Sequence, residues 1–468
     1  MHGTSRSPIR ALLVNFRSLF TAPTYANFVV LVSAWVLCTG RHHISRVVQF
    51  VRVLLGARHH AAFYRFFSRA RWACDALGSV LFVLCLARLS GRDVYLLVDD
   101  TLCRRGGPQV WGVGMHHDAV ASNYSGHPVT LACGHNWVIV SVWLPLPWNP
   151  LVGIAVPVLT RLHRSKKRCP AEEYRKRTEL AAEMVAVIAG WLPAGKRLVV
   201  VGDSEYSCRS VARRLPAGTV LVGRLCQDAA LFAQPGPYEG RGRPRTRGGR
   251  LPSPAQLCKD DQGWEIHRLV LYGREVELLI KTRVCLWYQV TGTRPVRIVV
   301  TRDPKGRIED RAYFSTDPDM DADEVLRAFA RRWSEEVLHR NVKQSLGLAE
   351  PQNGWWRRRP GERRNKKRPG PEPHPSVGRR AVERTVPFVL TTYAILVLAY
   401  LGSARLDEGV TAAKLRRPWY RHKQEPSFAD VLSAARRDIL DDGIFDEPAS
   451  GAGPATNRRA LLELLLAA

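Results

Sequence analysis

The sequence predicts an α/β protein: a core of strands and helices, interrupted by a β-rich insertion and preceded by a helical N-terminal region. Three observations carry this. Two apolar runs, "DVYLLVDDT" and "RLVVVGDSEYS", read as strands that end in aspartate, with a hairpin-like pair of strands and a helix between them. A second group of strand-like runs crowds residues 274–317. Residues 1–90 instead carry apolar clusters at helical spacing, separated by arginine-bearing turns.

In chain order, "ISRVVQFVRVLLG" and "HHAAFYRFFSRARW" read as two helices, the second loaded with Arg65, Arg69 and Arg71. A second helix with basic residues suits a helix-turn-helix-like reader of DNA, and equally a bundle with a solvated basic face. After the first aspartate strand, "GHNWVIVSVWLPLP" and "LVGIAVPVLTRL" read as an antiparallel hairpin, and Pro157 favours an edge position for its second strand. Pro170 followed by Glu172 and Glu173 is a helix-start signal, which predicts a helix over 170–192 with Leu180, Met184, Val187, Ile188 and Trp191 as its buried stripe. The second aspartate strand and "GTVLVGRL" follow, then a Pro-, Gly- and Arg-rich loop over 235–255. Strands return in "REVELLIKTRVCLWYQV", "RPVRIVVTRD" and "RAYFSTD", with "DPKG" as a turn. One helix then starts near Asp321, which has capping-box spacing to Glu324.

These readings divide the chain into a helical N-terminal domain (1–90), the first part of the core (91–225), a β-rich insertion (226–312), the rest of the core (313–350), a basic low-complexity linker (351–384) and a C-terminal helical region (385–468). No internal repeat is visible. "TVPFVLTTYAILVLAYLGS" at 385–403 is long enough to cross a bilayer. It contains a proline and two tyrosines and has no second span of equal quality, which favours a buried core helix.

Composition narrows the partners. The chain is 46% hydrophobic and 24% charged, a globular balance, and carries a formal net charge of +28 with a pI of about 10.3. A basic surface of this size points to a polyanion, nucleic acid before anionic membrane. None of the ten cysteines makes a C-x-x-C pair, so they read as reduced thiols in a cytoplasmic protein, with no secretory signal ahead of them.

The candidate chemistry has three acidic parts: Asp99 or Asp100 ending one strand, Asp203 ending another, and Glu335 or Glu336 in "RWSEEVLHRNVK". Carboxylates at the carboxyl ends of neighbouring strands face an open crevice, and hard oxygen ligands suit Mg²⁺ or Mn²⁺. On an uninterrupted helix at about 100° per residue, Phe329, Arg332, Glu336, Arg340 and Lys343 form one stripe. Glu336 is then the acid among cations, and Glu335 is expected to be a solvated neighbour on another face.

With these residues in view, "RRWSEEVLHRNVKQSLGL" resembles the signature helix of DDE transposases from bacterial insertion sequences. It is similar to the branch with a β-strand insertion domain and a Tyr-Arg-Glu-Lys signature. Arg332, Glu336 and Lys343 match in register, and Phe329 stands where that signature has tyrosine. "VDDT" resembles the family's first-aspartate strand, with the acid directly before threonine, which points to Asp100; "VVVGDSEYS" resembles the second and points to Asp203. The resemblance implies an RNase H-like core, a mixed sheet flanked by helices, and two Mg²⁺ or Mn²⁺ ions held by Asp100, Asp203 and Glu336. It further implies that Arg332, Arg340 and Lys343 meet DNA, and that the enzyme nicks the ends of its element and joins the freed 3′-OH to target DNA, as a homodimer on paired ends. Some relatives hold a flipped base on an insertion-domain aromatic, for which Trp287 is available. Alternatives are an RNase H-like nuclease without strand transfer and a catalytically inactive or domesticated DNA-binding derivative. His116, His117 and Asp118 read as structural, since no further ligand has recognisable metal spacing.

Overall fold

The computed structural model describes residues 7–351, apart from 56–58, 106–109, 119–120, 123–128, 239 and 241–242. It also describes 375–403 and, with interruptions, 411–441. Five helices come first: α1 (Pro8–Val14), α2 (Ala22–Leu37), α3 (Ile44–Leu55), α4 (Ala61–Ser68) and α5 (Cys74–Leu86). The sheet then opens with β1 (Asp93–Arg104), the short β2 (Gly114–His117) and the long hairpin of β3 (Leu131–Leu146) and β4 (Asn149–His163). After α6 (Arg177–Ala189) come β5 (Arg197–Gly202) and β6 (Val220–Leu225).

β1 pairs antiparallel with β3 and parallel with β5, and β5 pairs parallel with β6. The spatial order β4-β3-β1-β5-β6 is an RNase H-like mixed sheet. The purely apolar run of β5 is buried throughout, as a central parallel strand with both faces covered requires. Pro157 lies on β4 at a register shift, and among the described residues β4 bonds only to β3, so the proline occupies an edge. Helix packing covers that edge. α5 approaches so closely that a Cβ on Gly78 would sit 2.3 Å from the carbonyl oxygen of Val158.

The insertion adds the short pair β7 (Leu231–Phe232) and β8 (Arg250–Leu251), then β9 (Glu265–Leu271), β10 (Arg274–Leu286), β11 (Pro295–Arg302) and β12 (Arg311–Ser315). Its strands extend the core sheet: β12 bonds to β6, and β11 and β10 follow outward in one 12-stranded sheet. The strand expected through Val290 stops at Leu286, because Tyr288–Thr291 coil into a helical turn closed by Gly292 at φ +69°.

Two helices differ from expectation. The helix expected from Pro170 begins seven residues later at Arg177; Pro170–Tyr174 make only a turn, and Glu179 caps the true start by accepting from the backbone N–H of Lys176 at 2.9 Å. The helix expected as one piece from Asp321 is two, α7 (Ala322–Arg331) and α8 (Trp333–Ser345). Asp321 caps α7 through the N–H of Asp323. At the junction Arg332 and Glu335 bond three residues back, to Phe329 and Arg332, and this tightening breaks the regular ladder.

The long helix α9 (Pro375–Leu401) begins ten residues before the expected start of the C-terminal helical region, and residues 352–374 of the expected linker lie outside those described. Within its candidate membrane span 94% is buried in protein. Phe388 meets Phe28, Trp35, Phe66 and Phe67 edge-on, so the N-terminal helices, α9 and α10 (Phe428–Asp441) share one core. Arg384 on α9 reinforces this by donating to the carbonyls of Phe67, Ala70 and Trp72.

Candidate active site

The parallel ladder between β1 and β5 ends at the pair Val98 and Gly202. The next residue on each strand is an aspartate, so the site begins where backbone pairing stops. Side chains alternate along a strand, which sends Asp99 and Asp100 to opposite faces. Asp99 faces α8, where its Oδ2 lies 3.4 Å from Nη1 of Arg332, while Nη2 of the same arginine donates to Glu336 Oε1 at 2.6 Å. Burial raises Arg332's cost of staying charged, but Asp99, Glu336 and Asp203 outweigh it and hold the guanidinium above its ordinary value. One arginine thus bonds acids from β1 and from α8, and the charge at the end of β5 acts on it as well.

The acids themselves are unlike. Burial pushes Asp99 up to about 7 against the pull of Arg332, with Asp100 and Asp203 adding to the rise. Asp203 turns its Oδ1 back to accept from the N–H groups of Glu205 at 2.9 Å and Tyr206 at 3.3 Å, which fixes the loop after β5. Asp100, expected to be a metal ligand, turns away from α8. Its Oδ2 accepts from Asn136 at 2.8 Å and Arg177 at 2.9 Å, and its Oδ1 from the Tyr206 hydroxyl at 3.2 Å.

The two glutamates correct a second expectation. Glu335 is not solvated: its side chain is fully buried, and neither oxygen makes a hydrogen bond. Its polar neighbours are the Ser141 hydroxyl and the His339 ring, 3.8 Å away. Burial pushes the Glu335 carboxyl well above its usual range and pulls His339 down to about 3, so the pair is an acid and a neutral imidazole. Glu335 lies on the face of α8 that also carries Leu338 and Val342, in line with Ala328 of α7, and that face packs into the core. Glu336 stays on the crevice side, its side chain 40% exposed.

The cations divide in the same way. Arg332 lies over the ring of Phe329, which in turn packs on Tyr313. Lys343 is half-buried near the end of β1, close enough for its charge to act on Cys103 and Asp118. Arg340 is exposed and, with Trp333, Val337 and Gln344, lines a cavity of about 590 Å³ between the β3–β4 turn, Tyr272 and α10. Trp287 is only 5% exposed and packs edge-on against Phe314, so it is not available to a base. Asp118 is paired to Arg104 at 2.6 Å, and His117 shares a bond with Ser122, in keeping with structural roles.

Among the described residues, no three acid, histidine or cysteine side chains are gathered closely enough to hold an ion as they stand. The guanidinium between Asp99 and Glu336 accounts for that spacing. The donor set itself, carboxylate oxygens around a concentrated positive charge, fits a hard divalent ion.

The chain matches the DDE superfamily endonuclease family over residues 15–275, more than half its length. It belongs to that family. The match spans Asp99, Asp100 and Asp203 and ends before α8, so Glu336 rests on geometry and on the resemblance of its helix. No curated protein matches this chain. Sequence reasoning missed Arg177, Asn136, Glu205 and Tyr206; Arg177 sits in "YRKRTEL", where nothing local separates it from the basic residues around it.

Proposed function

We propose that this DDE endonuclease is a DNA transposase of an insertion sequence, and that Asp99, Asp203 and Glu336 hold two Mg²⁺ or Mn²⁺ ions. The observation that carries this reading is the one arginine that bonds both Asp99 and Glu336 at the mouth of the β1–β5 pair, within reach of the charge of Asp203. Asp99 replaces Asp100 in the assignment because both oxygens of Asp100 are committed to Asn136, Arg177 and Tyr206. Bound divalent ions would supply an activated oxygen nucleophile and stabilise the leaving oxygen.

The chain's own residues do the rest. Asp99, Asp203 and Glu336 present charge at fixed positions, Arg332 and Lys343 meet the phosphates flanking the cut, and the net positive surface gathers DNA. In the first step a water oxygen bonds to phosphorus and the P–O3′ bond breaks, leaving a 3′-OH and a 5′-phosphate. In the second, that 3′-oxygen bonds to a target phosphorus and displaces the target's own 3′-oxygen. Two copies on paired element ends, acting in the cytoplasm, complete the reading.

The test is incubation with DNA carrying the flanking terminal inverted repeats, target DNA and Mg²⁺, followed by mapping of cut and joined strands. Cutting without joined product would favour a nuclease lacking strand transfer. DNA binding with neither product would favour an inactive derivative.

A further inference from the structure

Beyond the last ladder pair, Val98 and Gly202, nothing in the backbone holds β1 to β5, yet Asp99 and Asp203 lie immediately past it. The first bridge beyond the ladder is made by side chains. Arg177, the first residue of α6, donates through Nη1 to Asp100 Oδ2 at 2.9 Å and through Nη2 contacts Glu205 Oε2 at 2.8 Å. Asp100 is the neighbour of Asp99, and Glu205 is two residues from Asp203. A second bridge runs beside it, from the Tyr206 hydroxyl to Asp100 Oδ1. Tyr206 is itself pressed against the strand end, since a Cβ on Gly202 would sit 2.6 Å from the Tyr206 Cβ.

We infer that Arg177 is a positioning residue: it ties the end of β1 to the loop after β5, fixing the separation of Asp99 and Asp203 and so the affinity of the site for divalent ions. A guanidinium suits the task because its planar fork reaches two acids at once, where a lysine ammonium is a single point. The inference rests on the assignment of Asp99 and Asp203 as ligands, given above. Partners that orient ligands without touching the ion change metal affinity about 10–100-fold when removed.

The experiment titrates the full-length protein with Mn²⁺ alone, by calorimetry, and separately measures binding to duplex DNA without metal. Arg177→Met should weaken Mn²⁺ binding about tenfold or more and leave DNA affinity nearly unchanged; Arg177→Lys should recover part of the loss. Unchanged Mn²⁺ affinity in Arg177→Met overturns the inference. So does a loss of DNA affinity with unchanged Mn²⁺ affinity, which would make Arg177 a phosphate contact. Should Arg177→Met fail to fold, Glu205→Gln keeps the shape and removes one arm of the bridge, and Mn²⁺ binding as tight as in the parent overturns the inference equally. Asp203→Asn in the same titration separates the two levels. If it binds Mn²⁺ as the parent does, the ligand assignment falls and the inference with it. If it loses Mn²⁺ while Arg177→Met does not, only the inference falls.

Discussion

The two faces of β1 do different work with the same residue type. On one face Asp99 looks across a crevice to Arg332 and Glu336, with a single charged contact at 3.4 Å. On the other, Asp100 is saturated by three donors from three separate elements. Besides its contact with Arg332, Asp99 has one hydrogen bond from the neighbouring Asp100 N–H at 2.8 Å, so it is tied to fewer separate elements than Asp100 and has more room to take a different partner. The same division recurs on α8, where Glu336 is half-exposed and bonded to a cation and Glu335 is fully buried beside a neutral imidazole. Adjacent acids on one strand and adjacent acids on one helix are each split into one that faces the crevice and one bound into the fold.

The largest expected effects break this comparison outright. Asp99→Asn, Asp203→Asn and Glu336→Gln should each lower Mg²⁺-dependent cleavage by about a thousandfold or more, with DNA binding retained, because each removes a ligand charge and no cation. Asp100→Asn keeps the shape and part of the bonding and should cost about 10–100-fold, as loss of an orienting partner does. Strand-cleavage rates for the four variants decide it. Equal losses at Asp99 and Asp100 would mean that the two faces do not differ.

How far this was legible in the sequence follows from which interactions are local. Apolar runs ending in carboxylate announce a parallel core strand and its active end, so the strands carrying Asp99, Asp100 and Asp203 could be read. Which of two adjacent aspartates faces the signature helix depends on the face that helix packs against, and a shift of one residue reverses the answer. The same limit misled the helix. Glu335 does lie on another face than Phe329, Arg332 and Glu336, but whether that face meets water or the core depends on what packs against it, and Ala328, Glu335 and Val342 are all buried there. Arg177 was invisible because its partners lie 77 residues before it on β1 and in the loop after β5.

A smaller effect sharpens the helix half of the comparison. Glu335 keeps its proton in the folded chain at pH values where the unfolded chain, with an ordinary value of 4.5, has lost it. Between those two values the folded state binds more protons, so Glu335 makes stability fall as pH rises above about 4.5. Glu335→Leu removes that dependence together with an unsatisfied buried polar group, and should be more stable than the parent at pH 8 by about 1–3 kcal/mol. Its advantage should shrink toward pH 4.5. Chemical denaturation of both proteins at the two pH values measures the difference. A Leu variant that is less stable at pH 8 would put Glu335 back in contact with water or a cation. Cleavage by Glu335→Leu should remain near the parental rate, in contrast to Glu336→Gln.

The smallest expected effect concerns the cations of α8, which a uniform stripe groups together and the fold divides. Lys343 sits near the end of β1 on the crevice side, whereas Arg340 lines the cavity behind Trp333. Each phosphate neutralised by a cation contributes about 0.9 to the slope of log affinity against log salt on duplex DNA. Lys343→Ala should therefore flatten that slope by about one, and Arg340→Ala should leave it unchanged although both remove one positive charge. Long-range attraction alone would lower affinity modestly and alike in both, so the slope, more than the affinity at one salt concentration, discriminates contact from proximity. Binding measured across a salt series for the two variants gives the answer. Equal flattening by both would mean that DNA wraps past the crevice onto the Trp333 face, and that the division of α8 into a chemical face and a cavity face does not extend to its cations.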